Sequence, residues 1–264
     1  MKSLASFVTG LALLMVPPTL GAAQGADITL LCAGALEEWM HEVIPRFEKT
    51  SGHRVKPTFA VINAITQRVR SGEPADLAVV SPQQWDDLRS EGKLDPAVRV
   101  LLAKVGYGVF IKAGATKPDI GSAEAFKRTL LNARSIALFD PSTVGPTAVY
   151  ARRLFDRLGM TTELRPKFKY ALSGAIPGRP TGAALFDLVA KGEAEIGIGQ
   201  ISETLAAPGV ELAGPVPAEF QAFTTFATVI PLHAKEQAAA KSLIEFLASP
   251  EAASILKSKG LEPG

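Results

Sequence analysis

The chain has 264 residues, 47% of them hydrophobic, with 28 basic and 26 acidic side chains and a net charge of +2. That hydrophobic content supports a sizeable core and excludes a disordered chain. The near balance of charge gives no basis for binding nucleic acid or an anionic membrane surface.

The N-terminus bears on the compartment. Lys2 is the only charge before Asp27, and an apolar run from Leu4 to Val16 leads into Pro17, Pro18 and small residues. A short basic start, an apolar middle and a small-residue exit predict a secretory signal over residues 1–25, cleaved near Ala23 or Gly25. The rival is a membrane anchor, but the run falls short of the ~20 residues a span needs. No later stretch is long and apolar enough to span, so the expected product is a soluble periplasmic protein. Its length of roughly 240 residues allows one large or two ordinary domains.

A strand followed by a helix recurs along the chain. Ile28 to Ala33 is a short apolar run ending at Gly34, and Leu36, Met40, Val43, Ile44 and Phe47 then fall at helical spacing. The single cysteine, Cys32, excludes an intrachain disulfide and reads as a buried structural thiol in that first strand. Ser51-Gly52 ends the helix, and Val55 to Phe59 is the next strand. Asn63 is suited to cap a helix that holds Ile65 and Val69. Leu77 to Val80 is a wholly apolar strand, and Ser81-Pro82 opens another helix. Such alternation predicts a parallel sheet covered by helices on both faces.

Val98 to Ala113 is too long for one ordinary strand and reads as a strand passing from a first lobe into a second. The second lobe continues with helices over Ala123–Leu131, Thr147–Leu158 and Thr181–Ala190, and strands over Ser135–Leu138, Phe168–Leu172 and Ile196–Ile198. Phe223 to Leu232 is the expected return path, and a last amphipathic helix carries Ala240, Leu243, Ile244 and Leu247. The predicted fold is therefore α/β: two Rossmann-like lobes joined by two crossover strands, with a ligand cleft between them. Lobe I is expected over residues 26–106 and 224–264, and lobe II over 107–223.

Several ordered pieces carry a family resemblance. They are Cys32-Ala33-Gly34-Ala35-Leu36, Phe59-Ala60, Gly72-Glu73-Pro74-Ala75-Asp76-Leu77, Asp140-Pro141 with Val149-Tyr150-Ala151, Leu158-Gly159, Gly197-Ile198-Gly199-Gln200 and Ser249-Pro250-Glu251-Ala252-Ala253. From about Asp27 to the C-terminus the chain resembles the molybdate-binding family of periplasmic solute-binding proteins, which serve ABC importers. The resemblance implies a type II periplasmic binding fold, an anionic ligand in the hinged cleft and an inner-membrane permease as partner. It also implies contacts from serine hydroxyls and from backbone N–H groups at helix starts, which suit an anion.

Transferred to this chain, the ligand loops are Gly34-Ala35-Leu36, Val61-Ile62-Asn63, Ser142-Thr143-Val144 leading to Thr147, and Pro180-Thr181-Gly182, with Gln200 at a fifth position. The serines that the family carries in the first two loops are replaced here by Ala35 and by Val61-Ile62-Asn63, and its usual tyrosine by Gln200. Each lost hydrogen bond to a charged group is worth ~1.5–3 kcal/mol, which argues against a small tetrahedral dianion. The loop from Ser173 to Gly182 is longer than usual for the family and carries Arg179. A guanidinium fork matches a carboxylate, so Arg179 is expected either to meet an organic carboxylate or to stand as a solvated loop charge.

The expected ligand is thus a small organic (poly)carboxylate, with Asn63, Thr143, Thr181 and Gln200 as polar contacts. Two alternatives stand beside it. One is an isomerase on the same scaffold, as in the family's aconitate isomerase, for which the sequence marks no catalytic base. The other is a molybdate or tungstate binder relying on backbone donors. Asp76 reads as a structural acid and Tyr150 as a packed residue of the second lobe. His41, His53 and His233 are scattered, so neither metal nor cofactor is expected, and a monomer is the default.

Overall fold

The computed structural model describes residues 25–143, 145–172 and 179–264. Apart from Gly25, the predicted export signal lies outside them, as does most of the Ser173–Gly182 loop.

The first half begins with β1 (Asp27–Ala33), buried from Leu30 onward. A 3-10 turn over Gly34–Leu36 leads into α1 (Glu37–Ser51), which buries Trp39, Met40, Val43, Ile44 and Phe47 and stops at Gly52 in the left-handed region. Next come β2 (Arg54–Ala60), α2 (Ile62–Arg70) and β3 (Leu77–Val80). Ser81 starts α3 (Pro82–Ser90) with the expected cap, reinforced by a reciprocal bond from the Gln84 side chain. The long run becomes β4 (Val100–Lys112).

The second half holds α4 (Ala123–Asn132), β5 (Ile136–Phe139), α5 (Pro146–Leu158), α6 (Thr161–Leu164), β6 (Phe168–Ala171), α7 (Ala183–Ala190), β7 (Ile196–Gln200), α8 (Ile201–Ala206) and β8 (Val210–Pro215). The chain then returns through β9 (Phe223–Val229), α9 (Gln237–Leu247), α10 (Pro250–Ser258) and β10 (Glu262–Pro263). Four of these elements, α6, α8, β8 and β10, were not expected from the sequence. All four are short, and β8 carries Gly214 and Pro215, which dilute a strand signal.

The strands run in the order β2-β1-β3-β9-β4-β7-β5-β6, with β8 and β10 also paired to β4. The parallel pairs β1–β2, β1–β3, β5–β6 and β5–β7 are the βαβ units expected of each half. β4 is common to both: Val100–Gly106 pairs with β9, and Tyr107–Ile111 with β7. The return passage precedes β9, where Gln221 receives a hydrogen bond from Tyr107 N and donates one to Tyr107 O.

Helices cover both faces of each half. Trp39, Phe47, Phe226 and Leu243 lie in one core of the first half, and Ile65, Trp85 and Leu88 in the other. Phe126, Leu154 and Phe155 fill one side of the second half, and Phe110, Phe186 and Val189 the opposite side. Cys32 is fully buried, and burial pushes its thiol pKa well up, as a structural thiol requires.

Asp76 is the structural acid it was expected to be. Its carboxylate accepts hydrogen bonds from the backbone N–H groups of Thr29, Lys235 and Glu236, each at 2.9 Å. One buried carboxylate thus ties β1 to the segment that starts α9. Replacing Asp76 by asparagine turns one acceptor oxygen into a donor facing N–H groups. Asp76→Asn is expected to destabilise the fold by about 3 kcal/mol in urea denaturation; a loss below about 1 kcal/mol would show that the three bonds carry little of the stability.

Candidate functional site

The ends of β1, β2 and β5 bring three loops to face the start of α7, and a cavity of about 50 Å³ lies between them. Its wall includes the N-terminal ends of α2, α5 and α7. Their N-cap residues, Val61, Gly145 and Gly182, make no side-chain capping bond. By contrast, Ser81, Ser122 and Ser249 cap α3, α4 and α10 with their hydroxyls. Three uncapped helix starts at one cavity concentrate backbone donors and partial positive charge there. Thr143, Thr147 and Thr181 add hydroxyls, while Ala35, Val61, Ile62, Phe139 and Phe226 add apolar wall.

Gln200 is held by a network at the point where the halves meet. Its amide nitrogen donates to Thr224 Oγ1 at 3.0 Å, and that hydroxyl lies 2.8 Å from the Tyr107 hydroxyl. The Tyr107 ring stacks on Tyr150, with centroids 3.7 Å apart. Tyr150 donates to Phe220 O at 3.1 Å. Residues of α5, β4, β7 and β9 are thus locked together beside the cavity. Tyr150 packs in the second half, as expected.

The sequence reading missed Glu203. It lies on α8, one helical turn beyond Gln200, and also lines the cavity. A Cβ built on Gly182 would sit 3.5 Å from Glu203 Oε2, which puts the carboxyl against the start of α7. No hydrogen bond or ion pair to Glu203 is found among the described residues. Burial, and secondarily the charge of Glu37, push its pKa up to about 8. Burial also raises Glu37, with His41 pulling the other way. Glu203 is therefore mostly neutral at pH 7, able both to donate and to accept a hydrogen bond.

A second cavity of about 200 Å³ adjoins the first and shares Gly34, Ala35, Thr181 and Glu203 with it. Glu37, Glu38, Arg179, Asp187 and Ser202 complete its polar lining among the described residues. Ser202 Oγ is buried and has no hydrogen-bond partner among the described residues. Between the two cavities the halves touch: a Cβ on Gly34 would come within 2.4 Å of Thr181 Cβ and Oγ1. Only glycine allows that approach.

Of the residues expected at the site, Gly34, Ala35, Ile62, Thr143, Thr181, Gly182 and Gln200 come together around the first cavity. The other four lie elsewhere. Leu36 is fully buried in the core of the first half. Asn63 is the second residue of α2 rather than its cap, because Val61 already takes the extended N-cap conformation; its Oδ1 accepts from Gln84 Nε2 at 2.7 Å. Ser142 is exposed, and its hydroxyl donates to Asp140 Oδ1 at 2.5 Å. Arg179 spends both arms of its fork on Asp187, at 2.6 and 2.8 Å, and this pairing with Arg179 holds the Asp187 pKa at about 2. A ligand carboxylate would have to displace Asp187 to reach it. Among the described residues, no cluster of three or more His, Cys, Asp or Glu side chains is placed to hold a metal ion.

Two half-sheets sharing one long strand, with an anion-suited cavity between their loops, define a two-lobed ligand-binding protein. Residues 28–262 match the family model of bacterial extracellular solute-binding proteins, and the chain belongs to that family. It is 32% identical to an aconitate isomerase from Pseudomonas sp., covering 98% of this chain and 97% of that protein. It is 28% identical to the molybdate-binding protein ModA of Escherichia coli K12, covering 90% of each. The solved periplasmic molybdate-binding protein of Azotobacter vinelandii superposes with a TM-score of 0.70 at 18% identity, covering 90% of this chain and 99% of that one. The fold is that of the type II periplasmic binding proteins.

Two outcomes are expected from the site geometry. Glu203 binds its proton more tightly in the folded chain than at its ordinary pKa of 4.5, so its contribution to stability falls as pH rises from about 4.5 to about 8. The melting temperature of wild type should fall across that window relative to Glu203→Gln; superimposable pH profiles would contradict the assignment. Gly34→Ala should wedge the halves apart at Thr181 and weaken ligand binding by about tenfold or more, the effect of about 1.4 kcal/mol. Titration calorimetry checks this, with far-UV circular dichroism as the control for folding.

Proposed function

We propose that the chain is the exported binding component of an ABC-type importer and that its cleft takes a small organic polycarboxylate. The observation that carries this reading is the pairing of three uncapped helix starts with an apolar wall. The helix starts and the Thr143, Thr147 and Thr181 hydroxyls suit carboxylate oxygens. Ala35, Val61, Ile62, Phe139 and Phe226 suit a carbon skeleton and offer no side-chain donor to an ion that is oxygen on every side. The adjoining cavity of about 200 Å³ gives a larger ligand room if the Gly34–Thr181 contact opens. Glu203, when neutral, adds a donor to a carboxylate rather than a repelling charge. The inner-membrane permease as partner, the monomeric state and cleavage near Ala23 or Gly25 belong to the same proposal.

A second reading is favoured by one observation: the identity to the aconitate isomerase extends over nearly the whole of both chains. On that reading the protein transforms an unsaturated polycarboxylate in the cleft.

A ligand that binds only the folded state raises the melting temperature by mass action. In a thermal-shift screen, citrate, aconitate or a dicarboxylate is expected to raise it by several degrees at millimolar concentration. Stabilisation by molybdate or tungstate alone would overturn the polycarboxylate reading.

A further inference from the structure

We infer that Glu203 is a catalytic acid–base residue that moves a proton between two carbons of a bound unsaturated polycarboxylate, shifting its double bond. This rests on the polycarboxylate reading and adds to it a residue and a reaction step.

The placement of Glu203 carries the inference. Its carboxyl lines both cavities and abuts Gly182 at the start of α7. Glu203 is half-buried, on the wall that the two cavities share. None of the described residues hydrogen-bonds or ion-pairs with it, and none partners the adjacent Ser202 Oγ, which is buried on the second cavity's wall. An acid without a structural partner and a hydroxyl without an acceptor thus lie side by side where a ligand would supply both. The ionisable groups around it are few. Glu37 faces it from α1, Glu38 lines the second cavity with it, Tyr107 of β4 lies within reach of its charge, and Arg179 and Asp187, engaged with each other, stand across the second cavity. His41 is exposed, His53 accepts a hydrogen bond from Ala26 N ahead of β1, and His233 lines a separate cavity beside Val69, so no histidine competes for the role.

The chemistry balances without a co-reactant. The Glu203 carboxylate removes a proton from a methylene that lies between a carboxylate and the double bond. A C–H bond breaks and an O–H bond forms. The electron pair spreads across the three-carbon unit and onto the attached carboxylate, where helix-start N–H groups stabilise the added charge. Glu203 then returns the proton to the far carbon: the O–H bond breaks, a new C–H bond forms, and the double bond has moved one position. A carboxyl whose proton affinity is raised toward neutral pH serves as a stronger base when ionised and still as an acid when protonated.

The test incubates the purified protein with trans-aconitate in heavy water and follows it by proton NMR, with thermal shift measured in parallel. Wild type is expected to exchange the methylene protons for deuterium and to form the cis isomer. Glu203→Gln should lose the exchange by about 100-fold or more while still showing a thermal shift, because an amide donates a hydrogen bond but does not take up a carbon-bound proton. Glu203→Asp, which keeps the acid one methylene further away, should retain part of the exchange, with an altered pH profile. It also serves as the test variant should the glutamine form not fold. A thermal shift with no exchange in wild type would overturn this inference and leave the polycarboxylate reading standing. Exchange in Glu203→Gln within tenfold of wild type would remove Glu203 from the role. Absence of a thermal shift with any polycarboxylate would overturn the underlying reading, and the inference with it.

Discussion

The cleft depends on β4, which serves two half-sheets at once. Val100–Gly106 completes the sheet of the first half and Tyr107–Ile111 that of the second, without a break in the chain. A strand shared in this way fixes the loops after β1, β2 and β5 opposite the start of α7. The stacked Tyr107 and Tyr150 rings and the Tyr107–Thr224–Gln200 bonds stiffen the junction exactly where β4 changes partners. Farther out, the halves meet through Gly34 and Thr181. That contact is small and involves no salt bridge between these two residues, so opening there would disturb little of either core.

The electrostatics of the cleft differ from those of a simple cation-lined anion site. Among the described residues no Lys, Arg or His lines the first cavity, and the nearby Arg179 is occupied by Asp187. Positive potential comes from helix ends, which are fixed in direction and lose little entropy when a ligand arrives. A neutral Glu203 is compatible with an anion beside it, whereas an ionised one would oppose binding. On the polycarboxylate reading, the protonation state of Glu203 and the occupancy of the cleft are therefore coupled.

The framework of the fold was legible in the sequence because its signals are local. Short continuous apolar runs marked β1 and β3, the spacing of Met40, Val43, Ile44 and Phe47 marked α1, and Ser81-Pro82 marked the start of α3. Loop matching placed Gly34, Ala35, Thr143, Thr181 and Gln200 at the cleft. Side-chain partners were not legible. Arg179 reads as free until α7 brings Asp187 beneath it, and Asn63 reads as a cap until α2 starts one residue earlier and Gln84 takes its oxygen. Glu203 was passed over because its chemistry comes from burial and from Glu37, more than 160 positions away in sequence, rather than from any motif. The available signal was its spacing of one helical turn from Gln200, which puts both on one face.

The central claim is that an organic polycarboxylate sits between the two halves with its oxygens on helix starts. A crystal structure of the protein with citrate or trans-aconitate tests it most directly. The account predicts electron density for the ligand between Gly34-Ala35 and Thr143–Thr147, within hydrogen-bonding reach of the starts of α5 and α7 and beside Glu203. A cleft that stays empty of polycarboxylate yet fills with a tetrahedral oxyanion from the same crystals would contradict it.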